Sequence, residues 1–157
     1  MGPASYRITR ATADDVAQIL PLFDAYRAFF AERTDDTSQR FLQERLAGEE
    51  SVVFVAWIEA DAAGFIQLYP LWSSWYCRRI WFLSDLYVAE AARGRGIGAG
   101  LVERVVAYAN ETEAASVMVE LPRREPHLAK FYAKLGFAKD DVFELARYQR
   151  TLSSHRR

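Results

Sequence analysis

The chain has 157 residues, enough for one domain with a real core, and its 51% hydrophobic and 26% charged side chains are ordinary for a globular protein. A formal net charge of −1 implies no general affinity for nucleic acid, and a single cysteine, Cys77, excludes an intramolecular disulfide. The two histidines, His127 and His155, lack ligand spacing, so no metal is expected, and no apolar run approaches the ~20 residues that span a bilayer.

The first five residues, Met1-Gly2-Pro3-Ala4-Ser5, have neither the charged nor the apolar region of a signal peptide, so a cytoplasmic domain without a membrane partner is expected. Tyr6 to Ala11 alternates as a short first strand. Thr12, with Asp15 three residues later, reads as a shortened capping box for a helix whose Val16, Ile19, Leu20 and Phe23 face the core. A second helix is predicted from about Thr37 to Ala47, with Phe41, Leu42 and Leu46 as its apolar side and Gly48 as its stop. Ser51 to Glu59 is a β-rich run, Asp61-Ala62-Ala63-Gly64 a hairpin turn, and Phe65 to Tyr69 the returning strand. Pro70 to Tyr76 reads as an aromatic-rich connection into a long strand at 78–88.

Between that strand and a helix running from Ala99 to about Thr112 stands Arg93-Gly94-Arg95-Gly96-Ile97-Gly98-Ala99-Gly100. Leu101, Val102, Val105 and Ala109 form the helix's apolar stripe. Ser116 to Leu121 is a further strand, Pro126 to Leu135 a short helix ending at Gly136, and Phe143 to Leu152 a last strand. The order β-α-α-β-β-β-α-β-α-β makes a single domain over 1–157, an α/β (α+β) fold with its sheet covered on both faces.

A glycine-rich, Arg-flanked turn from strand into helix suits a phosphorylated ligand, because the first backbone N–H groups of a helix are free and its dipole favours negative charge there. A Walker P-loop would need Gly-Lys-Ser/Thr, and nothing like it follows Gly98. Gly94-x-Gly96-x-x-Ala99, with Glu120 about 20 residues on, meets the loose dinucleotide fingerprint. That fingerprint, however, belongs after the first strand of a βαβαβ unit, and here the turn follows a hairpin sheet and leaves one parallel crossover behind it.

The pattern Arg93-x-x-Gly96-x-Gly98, preceded by Leu86-Tyr87-Val88, resembles the acyl-coenzyme A signature of the GNAT superfamily of N-acetyltransferases. Phe131-Tyr132-Ala133-Lys134-Leu135-Gly136-Phe137 resembles the family's Tyr-x-x-x-Gly-Phe motif, and Leu83-Ser84-Asp85-Leu86-Tyr87-Val88 looks most like its polyamine and histone-type branch. The resemblance covers nearly the whole chain. It implies a mixed, mostly antiparallel sheet of six to seven strands and a direct transfer of acetyl from acetyl-CoA to a primary amine of a small molecule or a lysine-like side chain. Backbone amides of Arg93, Gly94, Arg95, Gly96, Ile97, Gly98 and Ala99 would take the pyrophosphate, and the stretch Leu86, Tyr87 and Val88 would bind the coenzyme, with Leu86 and Val88 hydrogen-bonding the pantetheine arm like an added strand. Tyr132 matches the tyrosine that protonates the departing thiolate.

Asp85 either orients a cationic amine or ties down a neighbouring loop, and proton loss through water without a dedicated base is equally compatible with the sequence. Ser84 stands where some members of the family carry Glu, and Glu125 where many carry an Asn that contacts the coenzyme. By position, the resemblance puts Asp24, Tyr26, Glu32, Asp35 and Asp36 in the region that shapes the acceptor pocket. Arg95, Lys130 and Lys134 are candidates for the adenosine phosphates, against ordinary surface charge. Trp72, Trp75 and Tyr76 serve a substrate or a homodimer contact. Cys77 is expected to be a bystander. The rival reading is a non-catalytic acyl-CoA-binding or regulatory domain of the same fold.

Overall fold

The computed structural model describes residues 5–30 and 37–140. Five strands form one sheet in the order β1-β2-β3-β4-β5. They are β1 (Arg7–Arg10), β2 (Val52–Ile58), β3 (Asp61–Ser73), β4 (Arg78–Val88) and β5 (Val117–Val119). The first four pair antiparallel in sequence order, and β5 joins β4 in parallel after a helical crossover. The sheet is therefore mixed and mostly antiparallel. Of the six to seven strands expected, the one at Phe143–Leu152 falls outside the described residues.

Helices α1 (Val16–Phe30) and α2 (Thr37–Ala47) cover one face; α3 (Ile97–Glu111) and α4 (Pro126–Lys134) cover the other. This explains why β2 is apolar at successive positions rather than alternately. Val53, Val55 and Trp57 enter the core under α1 and α2, while Val52, Phe54 and Ala56 enter the core under α3. Thr12 N–H donates to Asp15 Oδ2 at 2.8 Å, as the shortened box predicts, and a single 3-10 turn over Ala13–Asp15 leads into α1.

Strand β5 is shorter than the Ser116–Leu121 run, α3 begins two residues before Ala99, and two chain reversals fall elsewhere than the sequence reading puts them. Asp61-Ala62-Ala63-Gly64 is not a turn: β3 begins at Asp61, and the chain reverses at Glu59-Ala60, with Glu59 in the left-handed region at φ 55°. The aromatic connection likewise continues β3 as far as Ser73, and the reversal falls at 74–77, with Cys77 at φ 50°. Ladder pairing decided both, because Ile58↔Asp61 and Ser73↔Arg78 extend the two hairpins to their tips.

One irregularity shapes everything that follows. Gln67 pairs with Asp85 while Leu68 pairs with Leu83, which leaves Ser84 as an extra residue on β4. Such a bulge bends its strand and raises its twist. The parallel pairing of β4 with β5 ends at Leu83↔Val119, just before the bulge, although β4 runs on to Val88. Beyond this pair the two strands are no longer bonded, a splay that leaves the outer edge of β4 without a partner strand among the described residues.

Candidate functional site

The open edge has a defined polarity. Ala89 N–H donates to Ala63 C=O at 2.9 Å, so alternate residues before it, Tyr87 and Asp85, also direct their backbone groups toward β3. Leu86 and Val88 then direct theirs outward, into the splay. Arg93 confirms this for Val88, since its Nε donates to the Val88 carbonyl at 3.0 Å. The same guanidinium lies over the Tyr87 ring at 5.6 Å. Arg93's side chain therefore straps the end of β4.

The glycine turn joins this edge to α3, and its glycines have different reasons to be there. Gly94 and Gly96 both sit at φ 77°, where a side chain is strained, and nothing stands within 4 Å of where a Cβ would project. They set the backbone path and leave open space before it. The Gly96 carbonyl accepts Gly100 N–H at 2.9 Å and the Tyr6 hydroxyl at 3.3 Å. The first-turn N–H groups of Ile97, Gly98 and Ala99 have no carbonyl four residues back within α3 to bond. Gly100 has a separate role, because a Cβ there would come within 2.2 Å of the Tyr6 hydroxyl. It is a packing residue between α3 and the start of β1.

On the α3 face of the splay, α4 supplies Tyr132, which is only 5% exposed. Its ring is held edge-on by Phe131 at 5.0 Å and Phe137 at 5.3 Å. The Tyr132 carbonyl accepts the N–H groups of Leu135 and Phe137, so the chain folds back at the helix end and returns Phe137 onto the tyrosine. Its hydroxyl makes no hydrogen bond among the described residues, and burial pushes the phenol up to about 12.

On the opposite face Asp85 is 9% exposed and surrounded by neutral donors. Gln67 Nε2 donates to its Oδ2 at 2.8 Å and Ser84 Oγ to its Oδ1 at 3.3 Å. Tyr26 of α1 also hydrogen-bonds the carboxylate, and its phenol is driven up first by burial and then by the Asp85 charge. Tyr69 is raised to about 12, again by burial and then by the Asp85 charge. No ion pair to Asp85 exists among the described residues. The Tyr132 phenol also contributes to raising Tyr26, so the groups on the two faces interact with one another. The bulge makes this arrangement. It switches the parity of β4, so that Trp81 and Leu83 enter the α3-side core while Asp85 and Tyr87 turn to the α1 side.

A model of the Acetyltransferase (GNAT) family matches residues 19–137. The chain belongs to this family. An uncharacterized N-acetyltransferase of Bacillus subtilis, YhfO, is 34% identical over 137 residues, covering 87% of this chain and 92% of that one. A crystal structure of a probable acetyltransferase superposes with a TM-score of 0.83 at 33% identity, covering 94% of this chain and 99% of that one. A D-amino-acid N-acetyltransferase of Saccharomyces cerevisiae is 30% identical over 82 residues, covering 52% of this chain and 51% of that one. This GNAT chain is accordingly an acyltransferase, and the family's donor is acetyl-CoA.

The structure gathers some of the sequence candidates of this GNAT enzyme and scatters others. Leu86, Val88, the 93–99 turn, Tyr132, Asp85 and Tyr26 converge on the splay. Asp24, also on α1, carries a buried Oδ1 without a partner among the described residues. Glu32, Asp35 and Asp36 lie outside the described residues. Arg95, Lys130 and Lys134 are exposed, and the Glu125 carboxylate lies 3.3 Å from His127 Nδ1 at the start of α4. Trp72, Trp75, Tyr76 and Cys77 stand exposed at the far tip of the β3–β4 hairpin. Gln67, Ser51 and Tyr69 were not singled out in the sequence. The one signal was a glutamine inside the otherwise apolar run Phe65-Ile66-Gln67-Leu68.

Proposed function

We propose that this GNAT enzyme transfers acetyl from acetyl-CoA directly to a primary amine of a small molecule, polyamine-like or an amino acid, or to a lysine-like side chain. The supporting observation is the splay itself: an open β4 edge that runs from a free-amide turn to a point between Tyr132 and Asp85. Arg93 N–H already donates to the Glu90 carbonyl at 3.2 Å, so it is the amides of residues 94–99 that hold the pyrophosphate, and the outward backbone groups of Leu86 and Val88 pair with the two amides of the pantetheine arm. The arrangement directs the thioester toward the gap where the two faces meet. That the yeast relative is a D-amino-acid N-acetyltransferase supports an amino group on a small molecule as the acceptor.

An alkylamine with a pKa near 10.4 arrives as an ammonium, and Asp85 orients that cation. After one proton leaves to water, the nitrogen lone pair attacks the carbonyl carbon. The C–S bond then breaks, and Tyr132 donates its phenolic proton to the departing sulfur. The proton lost by the new amide nitrogen replaces it. A buried phenol raised to about 12 is protonated at neutral pH at the start of each turnover, so the donor is loaded before the thiolate forms.

The test is thiol release from acetyl-CoA across polyamines, amino acids, aminoglycosides and basic peptides. Turnover with at least one amine is expected. Tight acetyl-CoA binding with no acceptor acetylated would favour the non-catalytic reading instead. We further propose that the exposed Trp72, Trp75 and Tyr76 form a homodimer contact; sedimentation of a Trp72→Ser/Trp75→Ser variant would then give a monomer.

A further inference from the structure

Gln67 and Ser51, two buried polar residues linked to Asp85, have no part in the acetyl-transfer steps above. Ser51, just before β2, Gln67 of β3 and Asp85 of β4 are 3%, 0% and 9% exposed, and Gln67 pairs with Asp85 across the β3–β4 ladder. Ser51 Oγ donates to Gln67 Oε1 at 2.9 Å, and Gln67 Nε2 donates to Asp85 Oδ2 at 2.8 Å. The direction of these bonds is informative. A carboxylate only accepts, so it draws the Gln67 amide group toward itself, and the amide oxygen left behind takes the Ser51 hydroxyl. With Tyr26 and Ser84, the hydrogen bonds to Asp85 among the described residues all come from neutral donors. A buried carboxylate held by dipoles, with no cation beside it among the described residues, keeps a net charge that a bound cation would offset.

We infer that Gln67 and Ser51 are positioning residues that fix the Asp85 carboxylate as the anionic half of the acceptor site, completed by the ammonium of the incoming amine. The acceptor class is therefore an amine that is cationic when it binds. This inference rests on the proposed amine acetylation and names the residues that set its acceptor affinity. Gln67 does this from inside the sheet, where its backbone is pinned by pairing with Val53 and Asp85, so the amide has little freedom to follow a displaced carboxylate. Ser51 borders a surface hollow lined by Ala11, Thr12 and Leu46, which leaves room for one added methyl group.

The experiment compares steady-state kinetics of Gln67→Met, Ser51→Ala and Ser51→Thr with the wild type, using whichever amine the wild type acetylates. Losing a hydrogen bond to a charged group is expected to raise the amine KM about tenfold to a hundredfold in Gln67→Met. The acetyl-CoA KM and kcat are expected to stay within about twofold, as for loss of acceptor binding alone. Ser51→Ala should raise the amine KM by a smaller factor, and Ser51→Thr, which keeps the hydroxyl, should restore it. The Gln67 side-chain amide protons should shift in the NMR spectrum when Asp85 is changed to Asn.

A merely structural chain would instead lower thermal stability and move both KM values together, which would overturn the inference. Unchanged amine KM in the variants would overturn it as well. If Gln67→Met does not fold, the Ala and Thr variants of Ser51 decide the matter on the same readouts. A wild type that acetylates no amine would overturn the proposed function and this inference with it, whereas an active wild type with indifferent variants would overturn the inference alone.

Discussion

The two faces of the splayed sheet are built by different means. On the α3 side the candidate donor site is made largely of backbone: the φ 77° glycines, the uncommitted N–H groups of the first helical turn and the outward groups of Leu86 and Val88. On the α1 side the candidate acceptor site is made of side chains: Asp85, Gln67, Tyr26 and Tyr69, brought from α1, β3 and β4. Backbone recognition demands particular conformations at consecutive positions and so leaves a compact motif. Side-chain recognition demands only that distant residues meet. The candidate donor site can therefore be read from consecutive residues, while the candidate acceptor site cannot.

If the faces work separately, substitutions should divide their effects between the two substrates. The largest effect is expected at the junction. Tyr132→Phe removes the proton donor and should lower kcat by about 10²–10⁴-fold, with the KM for acetyl-CoA nearly unchanged. An unaffected kcat would return Tyr132 to a packing role. Next, Asp85→Asn keeps the shape but removes the charge. It should reduce kcat/KM for the amine by about 10–100-fold while leaving acetyl-CoA affinity in place. A loss of acetyl-CoA affinity of the same size would show that the faces are not separable.

The third effect belongs to the donor face alone. Gly96→Ala places a Cβ at φ 77°, a strain of about 1–2 kcal/mol, and should weaken acetyl-CoA binding about 5–30-fold without altering the amine KM. Isothermal titration with CoA measures it directly. The smallest effect is on the fold and tests the burial that both faces share. Tyr132 and Tyr69 are each raised from 10 to about 12, and Tyr26 is raised too, so the native state favours their protonated forms. A raised folded-state pKa contributes stability that is complete below pH 10 and is lost as pH climbs toward 12. Denaturant unfolding at stepped pH should show constant stability from these tyrosines up to about pH 10 and a decline above it, smaller in Tyr132→Phe.

Much of the architecture was legible in the order of residues. Thr12 and Asp15, the bounds of α2, the stripe of α3 and the glycine turn depend on local rules of capping, periodicity and backbone sterics, and each appears in the structure near its predicted place. The hairpin tips did not follow, because Asp61-Ala62-Ala63-Gly64 has turn-forming residues but is held straight by its ladder with β2. Gly100 likewise looked like part of the phosphate cradle, and only its approach to Tyr6, 94 positions earlier in the chain, shows it to be a packing glycine.

The sequence alone therefore determined the family-bearing motifs and the donor-side turn, since these are written in neighbouring residues whose conformations are set locally. Tertiary structure decided which way Asp85 points. Simple strand alternation puts Leu83 and Asp85 on one face, and it is the bulge at Ser84 that parts them. It also decided that Gln67, Ser51, Tyr26 and Tyr69 gather around or behind that carboxylate. Register is a property of paired strands rather than of either one. A single extra residue on β4 turns Asp85 to the α1 face just beyond the point where pairing with β5 ends.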